Sequence, residues 1–458
     1  MTEISKPNIL FILVDSLRAD KIYGENKTSK IPNIESLIKN GVYFEQTICS
    51  TPATGVSLSS IFTGLYPFKI GMGSEKHQKF NPKIRSYIQI LKENDYNVYA
   101  TSPEITNDLG IICDFENPDK SYNNYFSLFA GLGNQIIQKF SASYLKKPWF
   151  FYIHIFDLHK PVVVPKRFDN KKFGTSQYER MLSAIDFWIG KILEKINLPN
   201  TLVIFTADHG EYIPLIKHGD VTINLEPSVA ERNLWKWGNK VPQNLSPLKQ
   251  KLGGLIRTTR NQIKNSKLDH SLFSEYEKRI LLHQRQDKGS DLYEDLIRVP
   301  LIFSGCGITS NSVISRQIPN VDIFPTILDI IGIESQKKVD GRSLLPIING
   351  KKLRDSFVYI ESSPGIGKGK DIVIGIRSSN FKYFRDLNNT GRVLRLYDLK
   401  NDPLEENNIA NKSKPVLKNL EEELLKIRSG SYEKYEEDEI SEEETKAIEE
   451  ELKKLGYD

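Results

Sequence analysis

Two apolar runs that each stop at a carboxylate constrain this chain more than any other feature. Asn8-Ile9-Leu10-Phe11-Ile12-Leu13-Val14 ends at Asp15, and Thr201-Leu202-Val203-Ile204-Phe205-Thr206-Ala207 ends at Asp208-His209-Gly210. Runs of this length without polar alternation predict strands covered on both faces, as in a parallel sheet. In open α/β sheets, ligands gather outside the carboxyl ends of the strands. Two strands therefore deliver two acids and an imidazole to one rim, which is the beginning of a metal site.

The rest of the chain fits that reading. Ile84 to Asn94 predicts a helix, Tyr96 to Ala100 a strand, Trp149 to Phe156 a strand and Tyr178 to Ile196 a helix. A strand at Val299 to Phe303 and a helix from Ile323 to Leu328 continue the alternation. Such alternation indicates an α/β fold: a doubly wound, mostly parallel sheet with helices on both faces. Residues 1–350 are expected to form this catalytic domain. Residues 221–287, rich in Lys and Arg, interrupt it and read as a basic insertion, either a surface elaboration or a lid. Residues 351–428 carry shorter strands, Asp371 to Arg377 and Arg392 to Tyr397, and suggest a small C-terminal α+β subdomain. Residues 429–458 form an acidic tail whose last part, Ala447 to Leu455, has a helical pattern; a charge run of this kind reads as a solvated face.

A length of 458 residues suffices for one large α/β domain and a smaller one. A formal charge of +5 is a weak bias and predicts no specific nucleic-acid binding. Cys49, Cys113 and Cys306 lie far apart, which argues for a reducing compartment and against a disulfide framework or zinc-thiolate site. The first residues, Met1 to Pro7, contain no apolar signal region, and no apolar run approaches the roughly 20 residues a membrane span needs. The expected location is cytoplasmic.

Between the two acid-bearing strands, small and hydroxylated residues from Thr51 lead into a helical stretch that stops at Gly64. A hydroxyl at a helix N-terminus sits where backbone N–H groups and the helix dipole favour anions. A Thr or Ser there is equally an ordinary N-cap.

Taken together, the segments resemble the sulfatase-like branch of the alkaline phosphatase superfamily over most of the chain. Asn8 to Asp15 is similar to the first metal-binding strand, and Thr54 to Pro67 to the nucleophile helix with its Thr-Gly-x-Tyr-Pro ending. His154-Ile155-Phe156-Asp157-Leu158-His159-Lys160-Pro161 resembles the segment carrying a pocket histidine. Asp208-His209-Gly210 resembles the second metal-binding strand end, with His218-Gly219 in the loop after it. Leu292 to Ile302, Asp340 to Pro346, and Leu396-Tyr397-Asp398-Leu399 with Asp402, Pro403, Glu405 and Asn408 follow in family order.

The departures from the family pattern narrow the expectation. Most sulfatases carry a cysteine within Cys-x-Pro-x-Arg that becomes formylglycine. Counting back from Thr63-Gly64 places Thr54 at that position. Cys49 does not qualify, because Thr51 stands where Pro is needed and Ala53 where Arg is needed. No formylglycine is expected. The usual Asp-Asp pair is Asp15-Ser16, the arginine four residues after the nucleophile is Leu58, and Thr101-Ser102-Pro103-Glu104 replaces the Lys-Trp-His sulfate clamp.

The resemblance then implies a threonine-nucleophile hydrolase or transferase of phosphate or phosphonate (di)esters, with one divalent metal held by Asp15, Thr54, Asp208 and His209. This mixed oxygen and nitrogen set favours Mn or Zn, with Mg or Ca as further options. Thr54, His159 and His218 are the expected catalytic residues, and Lys288, Asp157 and His154 the expected substrate contacts. Lys288 also reads as a solvated loop lysine, and His154 also reads as a core histidine. The expected substrate is a small or polymeric anionic ester, and self-association as a homo-oligomer is a further expectation. A sulfatase working without formylglycine and a non-catalytic anion-binding member are the other two readings.

Overall fold

A computed structural model describes residues 6–72, 79–141, 143–218, 221–226, 272–282, 291–308, 311–334, 338–352, 355–362 and 372–430, together with Lys446 and Glu450. Its centre is an eight-stranded sheet. The strands are β1 (Asn8–Val14), β2 (Gly41–Ile48), β3 (Asn97–Pro103), β4 (Ser121–Tyr122), β5 (Trp149–Ile155), β6 (Thr201–Thr206), β9 (Arg298–Ser304) and β10 (Ser312–Pro319), in spatial order β10-β2-β9-β6-β1-β5-β3-β4. A separate ribbon pairs β7 (Leu215–His218) with β8 (Val221–Asn224). Within the main sheet, β1 pairs in parallel with both β5 and β6, whereas β9 runs antiparallel to β6 and β2. The sheet is thus mostly parallel, as expected, with one reversed strand.

Every residue of β1, β5 and β6 is buried, which accounts for their unbroken apolar character. Register sets what reaches the rim. Leu13 lies opposite His154 on one side and opposite Thr206 on the other. Side chains alternate along a strand, so Asp15, His154 and Asp208 continue the same face. On that face lies the helix Thr54–Thr63, all ten residues of which are buried. Phe62 of this helix meets Tyr152 edge-on at 5.3 Å and Phe324 at 5.6 Å, and Phe324 stacks on Tyr87 at 5.1 Å. This aromatic layer is a rigid floor under the strand ends. Gly64 stops the helix at φ 70°, a left-handed conformation that suits glycine.

Element boundaries shift from the sequence expectation where caps decide them. The helix expected from Ile84 begins at Tyr87, because Ser86 and Gln89 form a reciprocal capping box. The helix expected from Tyr178 begins at Gln177 behind a second box made by Ser176 and Glu179. Strands β2 and β10 were not expected; both carry polar residues (Glu45 and Gln46, Arg316 and Gln317) that blur the apolar pattern.

The small C-terminal sheet is present as four antiparallel strands, β11 (Val358–Glu361), β12 (Val373–Arg377), β13 (Phe381–Asp386) and β14 (Arg395–Asp398). The helix Lys414–Ser429 packs against it through Leu420 and Leu424. Of the basic insertion, only β8 and the helix Glu275–Leu282 fall among the described residues. Residues 227–271 and 283–287, and all of the expected terminal helix except Glu450, lie outside them. Among the described residues, no helix is long and apolar enough to cross a membrane.

Candidate active site

The loop after β1 turns sharply at Ser16, whose φ of 60° is left-handed. The turn is held at both ends. Ser16 donates its N–H to Asp208 Oδ1 at 3.1 Å, and its carbonyl accepts from the Tyr178 hydroxyl at 2.7 Å. Ser16 Oγ donates to Asp15 Oδ1 at 2.7 Å. The second strand end is equally fixed. Gly210 donates its N–H to the Leu296 carbonyl at 2.7 Å, and a Cβ at Gly210 would lie 2.1 Å from the Asp295 carbonyl oxygen. Only glycine allows that approach.

These constraints bring Asp15, Asp208 and His209 together, with one ligating atom from each lying within 4.8 Å of the others. All three are buried. His209 Nδ1 donates to the Gly210 carbonyl at 2.8 Å, which leaves Nε2 unprotonated and facing the cluster in the neutral ring. Thr54, the first residue of its helix, places Oγ1 3.2 Å from Asp15 Oδ2 and 3.2 Å from His209 Nε2. Its cap residue, Ala53, offers no side-chain oxygen to the first turn. The four residues expected as the ligand set therefore converge.

Two acids share this buried cluster and shift in opposite directions. Burial would raise the Asp15 carboxyl, but His154, His159 and His209 hold it below its usual range. Burial pushes Asp208 up, and the neighbouring Asp15 charge adds to the rise. Two like charges this close disfavour joint ionisation. Asp208 Oδ2 is buried without a hydrogen-bond partner among the described residues. An orphaned carboxylate oxygen, a second carboxylate and an imidazole nitrogen stripped of its proton are a donor set that fits a divalent cation.

Other expected site residues land differently. His159 is half-buried and stacks on Phe156 at 4.2 Å, close enough for its charge to act on Asp15. His154 is wholly buried beside Asp15, so the expected substrate contact gives way to the core position that its strand alternation also allowed. Both Asp157 oxygens accept from the Leu128 N–H, at 3.1 and 3.4 Å. That bond pins the turn at Leu128–Ala130, and burial pushes the carboxyl up to about 7. The His218 backbone closes β7; its side chain, and the whole of Lys288, lie outside the described residues.

Two contributors escaped the sequence reading. Ser57 Oγ donates to the Asp208 carbonyl at 2.7 Å, and Asn320 Nδ2 donates to Ser57 Oγ at 3.2 Å. They tie the Thr54 helix to the second strand end. The signal for Ser57 was its position one helical turn after Thr54, on the same side of the helix. Asn320 follows a strand that was not expected.

A deep helix N-terminus carrying a hydroxyl, facing two acids and an imidazole on adjacent parallel strands, defines a hydrolase of the alkaline-phosphatase-like class. Comparison with known proteins agrees. A family profile described as Sulfatase matches residues 7–333, and one described as N-sulphoglucosamine sulphohydrolase, C-terminal, matches residues 283–430. The chain belongs to the sulfatase family. Arylsulfatase K of Bos taurus is 21% identical over 92% of this chain and 81% of its own length. A Delta 4,5-hexuronate-2-O-sulfatase of Bacteroides thetaiotaomicron is 22% identical over 88% and 85%. Among solved structures, the phosphonate monoester hydrolase of Agrobacterium radiobacter superposes with a TM-score of 0.64 at 17% identity, covering 92% of this chain and 95% of its own. The likeness in structure supports the fold.

Proposed function

We propose that this chain is a metal-dependent ester hydrolase that works through a covalent threonine intermediate on phosphate or phosphonate (di)esters. The observation that carries the reading is Thr54 Oγ1 held 3.2 Å from both Asp15 Oδ2 and His209 Nε2 at a helix N-terminus. Asp15, Asp208 and His209 would hold the cation, with Thr54 beside it, and the mixed donors favour Mn or Zn. A cation bound there lowers the pKa of the Thr54 hydroxyl and offsets charge on the transferred group.

Thr54 Oγ gives up its proton to solvent water and attacks phosphorus in line as the ester P–O bond breaks. His159 gives a proton to the departing oxygen, a contribution of typically ~10²–10⁴-fold. Water then cleaves the Thr54 ester and releases the free acid. The first-turn N–H groups of the helix Thr54–Thr63 face the developing negative charge. His218 assisting hydrolysis and Lys288 contacting the anion complete the proposal.

The names of the curated relatives favour a second reading, sulfate ester hydrolysis by the same Thr54 chemistry without formylglycine. Leu58 and the Thr101 to Glu104 segment, where a sulfatase has its arginine and clamp, favour the first. Turnover of p-nitrophenyl sulfate, p-nitrophenyl phosphate, bis-p-nitrophenyl phosphate and a phenylphosphonate ester by Mn- or Zn-loaded protein separates them. Thr54→Ala should remove the activity, by about 10³-fold or more if the nucleophile is lost. Dominant sulfate turnover selects the second reading. Turnover that survives in Thr54→Ala defeats both.

A further inference from the structure

His154 lies on β5 directly behind Asp15. Its Nε2 is 3.4 Å from Asp15 Oδ2 and has no hydrogen-bond partner among the described residues. A histidine that merely fills a core has both ring nitrogens satisfied by neutral groups. Here one of them faces only a carboxylate.

Three hydroxyls line the far side of the ring. Thr106 Oγ1 donates to the Pro103 carbonyl at 2.7 Å. Ser102 Oγ lies 2.8 Å from Thr106 Oγ1 and must be the donor in that contact, since a hydroxyl has a single proton. Ser102 therefore has none to give to His154 Nδ1, 3.4 Å away. The Tyr152 hydroxyl lies 3.1 Å from Nδ1, and burial keeps it protonated and able to donate to the ring. An Nδ1 that accepts leaves the ring proton on Nε2, pointing at Asp15. The Tyr122 hydroxyl, donating to the His154 carbonyl at 2.6 Å, holds the backbone in place.

We propose that His154 is a positioning residue for Asp15: oriented by Tyr152, it directs its Nε2–H at Asp15 Oδ2 and fixes that carboxylate for the cation. The proposal rests on the reading of Asp15, Asp208 and His209 as the cation site. It reverses the common arrangement in which an outer carboxylate orients a ligating histidine. Here an outer histidine orients a ligating carboxylate.

The test is calorimetric titration of the chelator-treated full chain with Mn²⁺ and with Zn²⁺. Loss of an outer partner typically lowers metal affinity ~10–100-fold, so His154→Phe should show a drop in that range. His154→Gln, whose side-chain amide offers an N–H near the position of Nε2, should recover most of it. Tyr152→Phe should show a smaller drop. Nitrogen NMR of histidine-labelled, metal-free wild type should find His154 protonated at Nε2 and bare at Nδ1. That reading stands even if the Phe variant fails to fold. The opposite tautomer, or wild-type affinity in a folded His154→Phe, overturns the proposal. Asp208→Asn separates the two layers: if it also binds metal normally, the cation site itself is wrong. If it loses metal while His154→Phe does not, only the role of His154 falls.

Discussion

Two buried acidic clusters sit within this protein and are built on opposite principles. Around Glu294 every charge is answered. Arg377 grips both carboxylate oxygens, at 2.9 and 3.0 Å, and Lys382 Nζ lies 3.2 Å from Oε1 and also reaches Glu405. Arg377 further donates to Gln46 at 3.0 Å and to Gln317 at 2.6 Å, so one guanidinium joins β2 and β10 of the large sheet to β12 of the small one. Around Asp15 and Asp208 no lysine or arginine plays that part among the described residues: Ser16, Thr54, His154 and His209 pack against them, and His159 acts on Asp15 from farther off. The first cluster is a finished latch between two sheets. The second brings two carboxylates and an imidazole together without such a partner among the described residues, and this contrast is what the proposed cation site rests on.

Breaking the latch should have the largest effect on stability. Burial would raise Glu294, but Arg377 and Lys382 hold it well below the usual carboxylate range. Glu294→Gln leaves both cations buried without their shared acid, and removing one partner of a buried pair costs about 3–5 kcal/mol. Chemical unfolding in the presence of chelator measures this. The stability due to Glu294 is present above its unfolded pKa and is lost as pH falls through the depressed folded value. A variant as stable as wild type would show that the latch is no stronger than a surface pair.

Asp157 gives a third case, an acid with no cation beside it among the described residues. Burial raises it to about 7, so the folded state holds this proton more tightly than the unfolded chain. Its contribution to stability is complete below the unfolded value near 3.8 and is lost as pH rises towards about 7. At ~1.36 kcal/mol per pKa unit this amounts to roughly 4 kcal/mol, opposite in sign to Glu294. Asp157→Asn keeps an acceptor for the Leu128 N–H and should flatten the fall in melting temperature between about pH 4 and pH 7. An unchanged slope would move the cause elsewhere.

Metal itself sharpens the contrast. A cation that binds only the folded chain stabilises it by about 2.7 kcal/mol at a hundred times its Kd. Mn²⁺ or Zn²⁺ should raise the melting temperature of wild type and of Glu294→Gln alike, and chelator should reverse the rise. No shift in either would mean that the Asp15 cluster is not a cation site.

How much of this could be read in advance follows from what each cluster requires. The Asp15 cluster was legible because its acids terminate two unbroken apolar runs, and parallel register then forces them to one rim. Thr54 was legible through the family resemblance, which counts back to it from Thr63-Gly64; the small residues around it fit an ordinary N-cap equally well. The latch was not: Glu294 and the hairpin that carries Arg377 and Lys382 are two distant segments, and a buried ion pair leaves no periodic trace. His154 lay between the two cases. Strand alternation allowed a core position beside the expected substrate contact, but only the register opposite Leu13 shows that it faces Asp15. The basic insertion taught least, because its lysines and arginines follow no period.

The smallest expected effect is also the most diagnostic, because its sign depends on metal. Asp208→Asn keeps Oδ1 for the N–H groups of Ser16 and His209 and replaces the orphaned Oδ2 with a donor beside Asp15. In chelator the change removes a like-charge conflict and should stabilise the chain by about 1 kcal/mol, the scale of one net buried hydrogen bond. With saturating metal the same variant should be the less stable one, since it has surrendered a ligand and with it the binding term. Glu294→Gln, by contrast, should be destabilised to the same degree in both conditions. Unfolding curves for the two variants, each with and without Mn²⁺, therefore cross for one and run parallel for the other. If Asp208→Asn is destabilised in chelator as well, Asp208 is held by contacts within the protein, and the excess of carboxylates does not mark a vacant charge.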